Sequence, residues 1–152
     1  MQEIKIRLAD IAEPAVRALL GEVLEELARR YGGSGDDTPV GDGDFRPPAG
    51  VFFVADDGER LIGCSGWRRR GDDAELKRMF TVPAARGRGL ARRLLTTIEE
   101  SARAAGCGRV ILETGDKQPE AIVLYESAGY RRIEDFGHYR GEPGVLSYAK
   151  TL

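Results

Sequence analysis

The chain has 152 residues, 41% of them hydrophobic, with 23 Lys and Arg against 25 Asp and Glu. That profile fits a single domain spanning 1–152, with a core large enough to need no metal or disulfide staple. A net charge of −2 excludes a uniformly basic nucleic-acid binder, and two cysteines (Cys64, Cys107) with one histidine (His138) exclude a disulfide framework, a structural zinc site and the common nucleophilic triads.

The opening Met1-Gln2-Glu3-Ile4-Lys5 lacks a basic region followed by an apolar signal core. No stretch approaches the roughly 18 apolar residues of a membrane span, so the expectation is a cytoplasmic chain with no membrane partner. Ile4, Ile6 and Leu8 alternate with charged residues as in a half-buried strand. Val16, Leu19, Leu20, Val23, Leu24 and Leu27 then recur at helical spacing, with Pro14 in the first turn. This helix fades near Arg30 and Tyr31, where Gly32-Gly33-Ser34-Gly35-Asp36-Asp37 opens an acidic loop that runs to Gly50. A connection of that length reads as a lid or binding loop, or as a disordered segment.

Three strand-like segments follow, Val51–Ala55, Arg60–Trp67 and Ala74–Val82. The turn chemistry of Asp56-Asp57-Gly58-Glu59 and Arg70-Gly71-Asp72-Asp73 joins them into an antiparallel meander. After Pro83 the period changes, and Leu90, Leu94, Leu95 and Ile98 share one face of a helix closed by Gly106 and Gly108. A strand Arg109–Glu113, a helix from Pro119 to Ala128 stopped by Gly129, and strands near Tyr130–Phe136 and Val145–Thr151 complete the chain. This order predicts an α/β (α+β) fold in which a central mixed, mostly antiparallel sheet is flanked by helices. A right-handed crossover joins the strand ending at Val82 to the strand Arg109–Glu113.

Charge is unevenly distributed, because Trp67 to Arg109 holds eleven Lys and Arg against five Asp and Glu. A basic middle third in an acidic chain points to a local site for an anionic ligand. Within it, Arg86-Gly87-Arg88-Gly89-Leu90-Ala91 sits where a strand ends and a helix begins, so unpaired N–H groups face outward at the positive end of the helix dipole. Gly87 and Gly89 remove side chains that would hold a phosphate away, and Arg86 and Arg88 offer it positive charge. The competing nucleotide motifs do not fit. A Walker ending Gly-Lys-Ser/Thr is absent, and Arg92 occupies the third glycine of the dinucleotide pattern.

The run Val82-Pro83-Ala84-Ala85-Arg86-Gly87-Arg88-Gly89-Leu90-Ala91 resembles the coenzyme A pyrophosphate motif of the GNAT N-acyltransferases, R/Q-x-x-G-x-G/A. Downstream, Gln118-Pro119-Glu120-Ala121-Ile122-Val123-Leu124-Tyr125-Glu126-Ser127-Ala128-Gly129-Tyr130 is similar to that family's N-x-x-A-x-x-L-Y-E-x-x-G-F/Y segment, with Gln118 standing where Asn is usual. The resemblance covers Val51 to Tyr130 well and the N-terminal third only in outline.

What the resemblance implies is an acyl-CoA N-acyltransferase fold and an enzyme that transfers acetyl from acetyl-coenzyme A to a primary amine by direct attack in a ternary complex, without a metal. The backbone of Phe80, Thr81 and Val82 would bind the pantetheine arm, and Met79 or Phe80 would lie nearest the acetyl group. The N–H groups of Gly87, Arg88, Gly89, Leu90, Ala91 and Arg92 would hold the pyrophosphate, and Gln118 would hydrogen-bond the arm. Tyr125 matches the family's general acid, and a phenol with a reference pKa of about 10 stays protonated beside a thiolate of about 8.5. Glu75 and Glu113 compete for the general base, with His138 a third candidate. Trp67 is either core or a wall of the acceptor pocket.

Three other readings stand beside this one: a protein N-terminal or lysine acetyltransferase, an acyl-CoA-binding module without turnover, and a nucleic-acid binder using Arg68, Arg69, Arg70, Lys77 and Arg78. Asp36, Asp37, Asp42 and Asp44 in the long loop favour a cationic small amine or amino acid as acceptor. Homodimerisation through the C-terminal strands is common in the family.

Overall fold

Alternating apolar residues build the sheet. In a computed structural model, which describes residues 3–152, seven strands lie in the order β1-β2-β3-β4-β5-β7-β6. They are β1 (Lys5–Leu8), β2 (Gly50–Asp56), β3 (Leu61–Arg70), β4 (Asp73–Thr81), β5 (Arg109–Gly115), β6 (Arg131–Arg132) and β7 (Val145–Thr151). Three helices accompany them: α1 (Pro14–Tyr31), α2 (Leu90–Ala104) and α3 (Pro119–Ser127). Met1 and Gln2, the head of the stretch inspected for a targeting signal, lie outside the described residues. Among the described residues, no helix is long and apolar enough to cross a membrane.

Every strand pair is antiparallel except β4 and β5, whose connection through α2 makes them parallel as the crossover requires. The apolar faces read from the sequence form the core: Val16, Leu19 and Val23 of α1 and Leu90, Leu94, Leu95 and Ile98 of α2 are all buried. Leu8 departs from the pattern and is 64% exposed at the edge strand. Trp67 is core, 1% exposed, with its Nε1–H donated to Ser101 Oγ at 3.0 Å. Cys64 and Cys107 are buried and unpaired, and burial pushes the Cys64 thiol up to about 12.

The long acidic loop is a packed element. Thr38 and Phe45 are buried, and a 3-10 turn at Asp42–Phe45 seats the Phe45 ring edge-on to Phe52, 5.8 Å between centroids. Gly66 makes room for that ring, since an added Cβ would stand 2.8 Å from it. The expected strand Tyr130–Phe136 shrinks to Arg131–Arg132. Asp135 accepts hydrogen bonds from Ser147 Oγ and Gly141 N, which turns the chain out of the sheet into a loop of residues 133–144.

One irregularity positions the site. Lys77 pairs with Gly66 and Phe80 with Cys64, so Arg78 and Met79 together face Ser65, and Arg78 adopts a φ of 61°. This β-bulge bends β4. Its pairing with β5 lasts only from Asp73–Arg109 to Glu75–Ile111, and beyond that point the two strands diverge.

Candidate active site

The wedge between the diverging strands is a cavity of about 600 Å³. Leu76 to Thr81 of β4 line one side and Glu113 to Gly115 of β5 the other, with the start of α2 and one face of α3 closing the ends. Of the residues expected to hold the cosubstrate, Phe80, Thr81, Arg86, Gly87, Gly89, Leu90, Ala91, Arg92, Gln118 and Tyr125 lie on its wall. Val82 and Arg88 do not. Val82 turns into the core, and Arg88 donates to Ala84 O at 3.3 Å.

The turn before α2 has the features of an anion cradle. Gly89 caps the helix with φ 78° and no side-chain cap, and the first turn of α2 is closed by Arg93 N–H donating to Gly89 O. Among the described residues, no acceptor satisfies the N–H groups of residues 87–92. A Cβ added at Gly87 or Gly89 would meet nothing within 4 Å, so the ground in front of these donors is open and suits a diphosphate. Charge compensation differs from the sequence expectation, because Arg86 is spent within the protein. Its guanidinium donates to Glu26 Oε1 at 2.7 Å and to Thr81 O at 2.9 Å and lies over the Phe80 ring. The fixed backbone donors and the helix dipole remain for an anion, together with the guanidinium groups of Arg88 and Arg92, which form no ion pair among the described residues.

Tyr125 enters the cavity from α3 and is 4% exposed. Its ring packs 5.6 Å from that of Tyr130, and its hydroxyl makes no hydrogen bond among the described residues. Burial raises its pKa, so the phenol is protonated across the physiological range. Packing and proton donation are therefore compatible in one residue.

The structure separates the two acidic candidates. Glu75 is 1% exposed, lies outside the cavity wall, and accepts a hydrogen bond from Arg68 Nε at 3.1 Å. Arg68 in turn reaches Pro39 O at 2.8 Å and Asp44 at 3.3 Å, so this pair stitches β3 and β4 to the long loop. Breaking one side of a buried pair is costly, and Glu75→Gln is expected to lower stability by about 3 kcal/mol in denaturant unfolding while leaving turnover at moderate temperature close to wild type. Glu113 lines the cavity at the end of β5. Burial raises its pKa, against the opposing pull of Lys77 and of the Tyr139 N–H that donates to Oε2 at 3.1 Å. Such a carboxyl is poised closer to neutrality than an exposed one. His138 is exposed, outside the cavity, with its ring against that of Tyr139.

Charges that the sequence offered to an external ligand are consumed internally. Asp36 meets Lys77 Nζ at 3.6 Å and Arg78 at 3.0 Å and accepts from Thr38 and Tyr139. Burial opposes its ionisation, but the two cations outweigh that and hold it well below the usual carboxylate range. Asp42 pairs with Arg17 and Asp44 with Arg68, while Asp37, exposed, accepts only from the neutral Ser34 hydroxyl. Three of the four acidic groups of the loop are therefore neutralised within the protein. The basic hairpin is likewise engaged, with Arg69 on Ala105 O and Arg70 on Phe136 O.

Tyr31 and Tyr139 line the cavity without having been singled out as site residues, and Asp36 and Lys77, read from the sequence as parts of an acceptor-attracting loop and a basic surface, line it as well. Tyr31 accepts a hydrogen bond from Gln118 Nε2 at 3.3 Å and lies so near Gly115 that a Cβ there would stand 2.6 Å from its Cζ. The Gly32-Gly33 run that ends α1 at Tyr31 was the available signal. Lys77 is 7% exposed, and burial lowers its pKa against Asp36 and Glu75.

The sequence model of the acetyltransferase (GNAT) family matches residues 20–130. An IAA acetyltransferase of Azospirillum brasilense is 41% identical over 103 residues, which is 66% of this chain and 67% of that protein. Other curated relatives are matched over 37% to 74% of their own length. A Klebsiella pneumoniae protein assigned to the acyl-CoA N-acyltransferases superimposes with a TM-score of 0.81 over 98% of this chain and 97% of that one, at 25% identity. The PaiA N-acetyltransferase of Thermoplasma acidophilum, solved in complex with coenzyme A, shares the fold at a TM-score of 0.76 over 99% of each chain and 16% identity.

Proposed function

The chain belongs to the acetyltransferase (GNAT) family, and from that premise we propose that it passes an acetyl group from acetyl-coenzyme A directly to a small primary amine held beside it between β4 and β5. The observation that carries this reading is a single cavity lined by the unpaired N–H groups at the head of α2, the protonated Tyr125 and the carboxyl of Glu113.

Residues 87–92 hold the diphosphate, and the edge of β4 freed by its divergence from β5 receives the pantetheine arm. A backbone N–H near Met79 or Phe80 meets the carbonyl oxygen as it gains charge. Glu113 takes the proton of the ammonium through water, and the neutral amine attacks the thioester carbon. The C–N bond forms and the C–S bond breaks; Tyr125 supplies a proton to the departing sulfur, and the second proton that the nitrogen loses as the adduct collapses to the neutral amide restores the phenol.

A small acceptor is favoured by the closed far end of the cavity. There the Tyr139 hydroxyl is hydrogen-bonded to Asp36 Oδ1 and to the Asp37 N–H, so the loop 32–50 and the loop 133–144 meet. An amine or amino acid fits behind that bridge more readily than a lysine on a folded surface.

Tyr125→Phe tests the acid. Turnover, followed as thiol release, is expected to fall on the order of a hundredfold while acetyl-coenzyme A affinity stays unchanged. Full activity in this variant would remove Tyr125 from the chemistry.

A further inference from the structure

We propose that Tyr139 is a positioning residue for Glu113, and that the segment Gly137–Tyr139 is a cradle that fixes the carboxylate where it meets the acceptor amine. The inference rests on the reading of Glu113 as general base. Glu113 stands at the end of β5 where pairing with β4 has ceased, so one flank of its strand is open. A flexible side chain at such a place is spread over rotamers unless something holds it, and ordering it costs on the order of 1 kcal/mol or more.

The loop 133–144 supplies the hold at two points. Tyr139 N–H donates to Glu113 Oε2 at 3.1 Å. Gly137 closes over the other oxygen: an added Cβ would stand 2.5 Å from Glu113 Cδ and press on Oε1, which is buried without a hydrogen bond. Gly137 is not in the left-handed region, so the requirement at this position is space rather than backbone conformation.

The cradle is itself anchored across the cavity. The Tyr139 hydroxyl donates to Asp36 Oδ1 at 2.5 Å and accepts from Asp37 N–H at 2.8 Å. Asp36 is fixed in turn by Thr38 N–H at 2.9 Å and by Lys77 and Arg78 of β4. A continuous set of contacts therefore runs from β4 through Asp36 and Tyr139 to Glu113 on β5, bridging the two strands where their own hydrogen bonds have stopped. Removing the hydroxyl leaves Glu113 intact and releases the anchor of the amide that holds it.

A double-mutant cycle reads this directly. Thiol release from acetyl-coenzyme A is measured with ethanolamine, putrescine and glycine as probe acceptors, for wild type, Tyr139→Phe, Glu113→Gln and the double variant. Tyr139→Phe is expected to lower kcat on the order of tenfold with KM for acetyl-coenzyme A unchanged, and to cost less than about twofold further in the Glu113→Gln background. A full tenfold loss in both backgrounds would overturn the positioning role, because the hydroxyl would then act independently of the carboxylate. Unimpaired Glu113→Gln, or no thiol release by wild type with any of the three probes, would overturn the base or acceptor assignment and this inference with it. Gly137→Ala is the second variant, which displaces Glu113 from the opposite side and leaves the hydroxyl in place. It is expected to show the same dependence on Glu113, and a loss that persists unchanged in Glu113→Gln would count against the cradle.

Discussion

Gly89→Glu is expected to abolish measurable acetyl-coenzyme A binding in calorimetric titration while the protein stays folded. The variant adds a carboxylate at the N-cap of α2, where the helix dipole and the free N–H groups of residues 87–92 would hold a diphosphate. A tethered anion occupies those donors itself and repels the incoming phosphates, and the two effects together are expected to cost on the order of a hundredfold or more in affinity. Backbone strain has to be separated from charge, since φ is 78° at this position and a side chain there costs roughly 1–2 kcal/mol. Gly89→Ala carries the same strain without the charge, and its Cβ meets nothing within 4 Å. It should therefore lose stability but keep most of its affinity. Equal binding by Gly89→Glu and wild type would move the diphosphate away from this turn.

The fold was legible where hydrophobic period and turn chemistry agree. The face Leu90, Leu94, Leu95 and Ile98 and the glycines on either side of it define α2 without ambiguity, and the order of elements fixes the crossover. The anion turn was equally visible, because glycines and unpaired donors at a strand-to-helix junction are local features. The assignment of charges was not. Asp36 is 41 residues from Lys77 in sequence and Tyr139 more than 100 from Asp36, and only the folded chain shows that they neutralise and bind one another. An isolated sequence presents every Asp in the loop as available to a ligand. Glu75 and Glu113 posed the same difficulty: both are carboxylates on strands, and what separates them is that Arg68, from the neighbouring strand, reaches one and not the other. The bulge at Arg78 had no sequence signal, since the residue with positive φ is not a glycine.

Glu113→Gln should lower turnover on the order of a hundredfold near neutral pH, and the deficit should shrink as pH rises. Burial holds the Glu113 pKa above that of an exposed carboxyl, and only the ionised form accepts a proton. Wild-type turnover should accordingly fall as pH drops through that raised value. The variant has no such limb. Its turnover depends on amine already neutral in solution, a fraction that grows tenfold per pH unit up to the amine's own pKa of about 10. The two profiles therefore converge on the alkaline side. Glu75→Gln, assayed alongside, should keep the wild-type limb, because its carboxylate is paired with Arg68 and outside the cavity. A limb that survives in Glu113→Gln and vanishes in Glu75→Gln would reverse the assignment, and the Arg68 pair would then have to open during turnover to let Glu75 reach the amine.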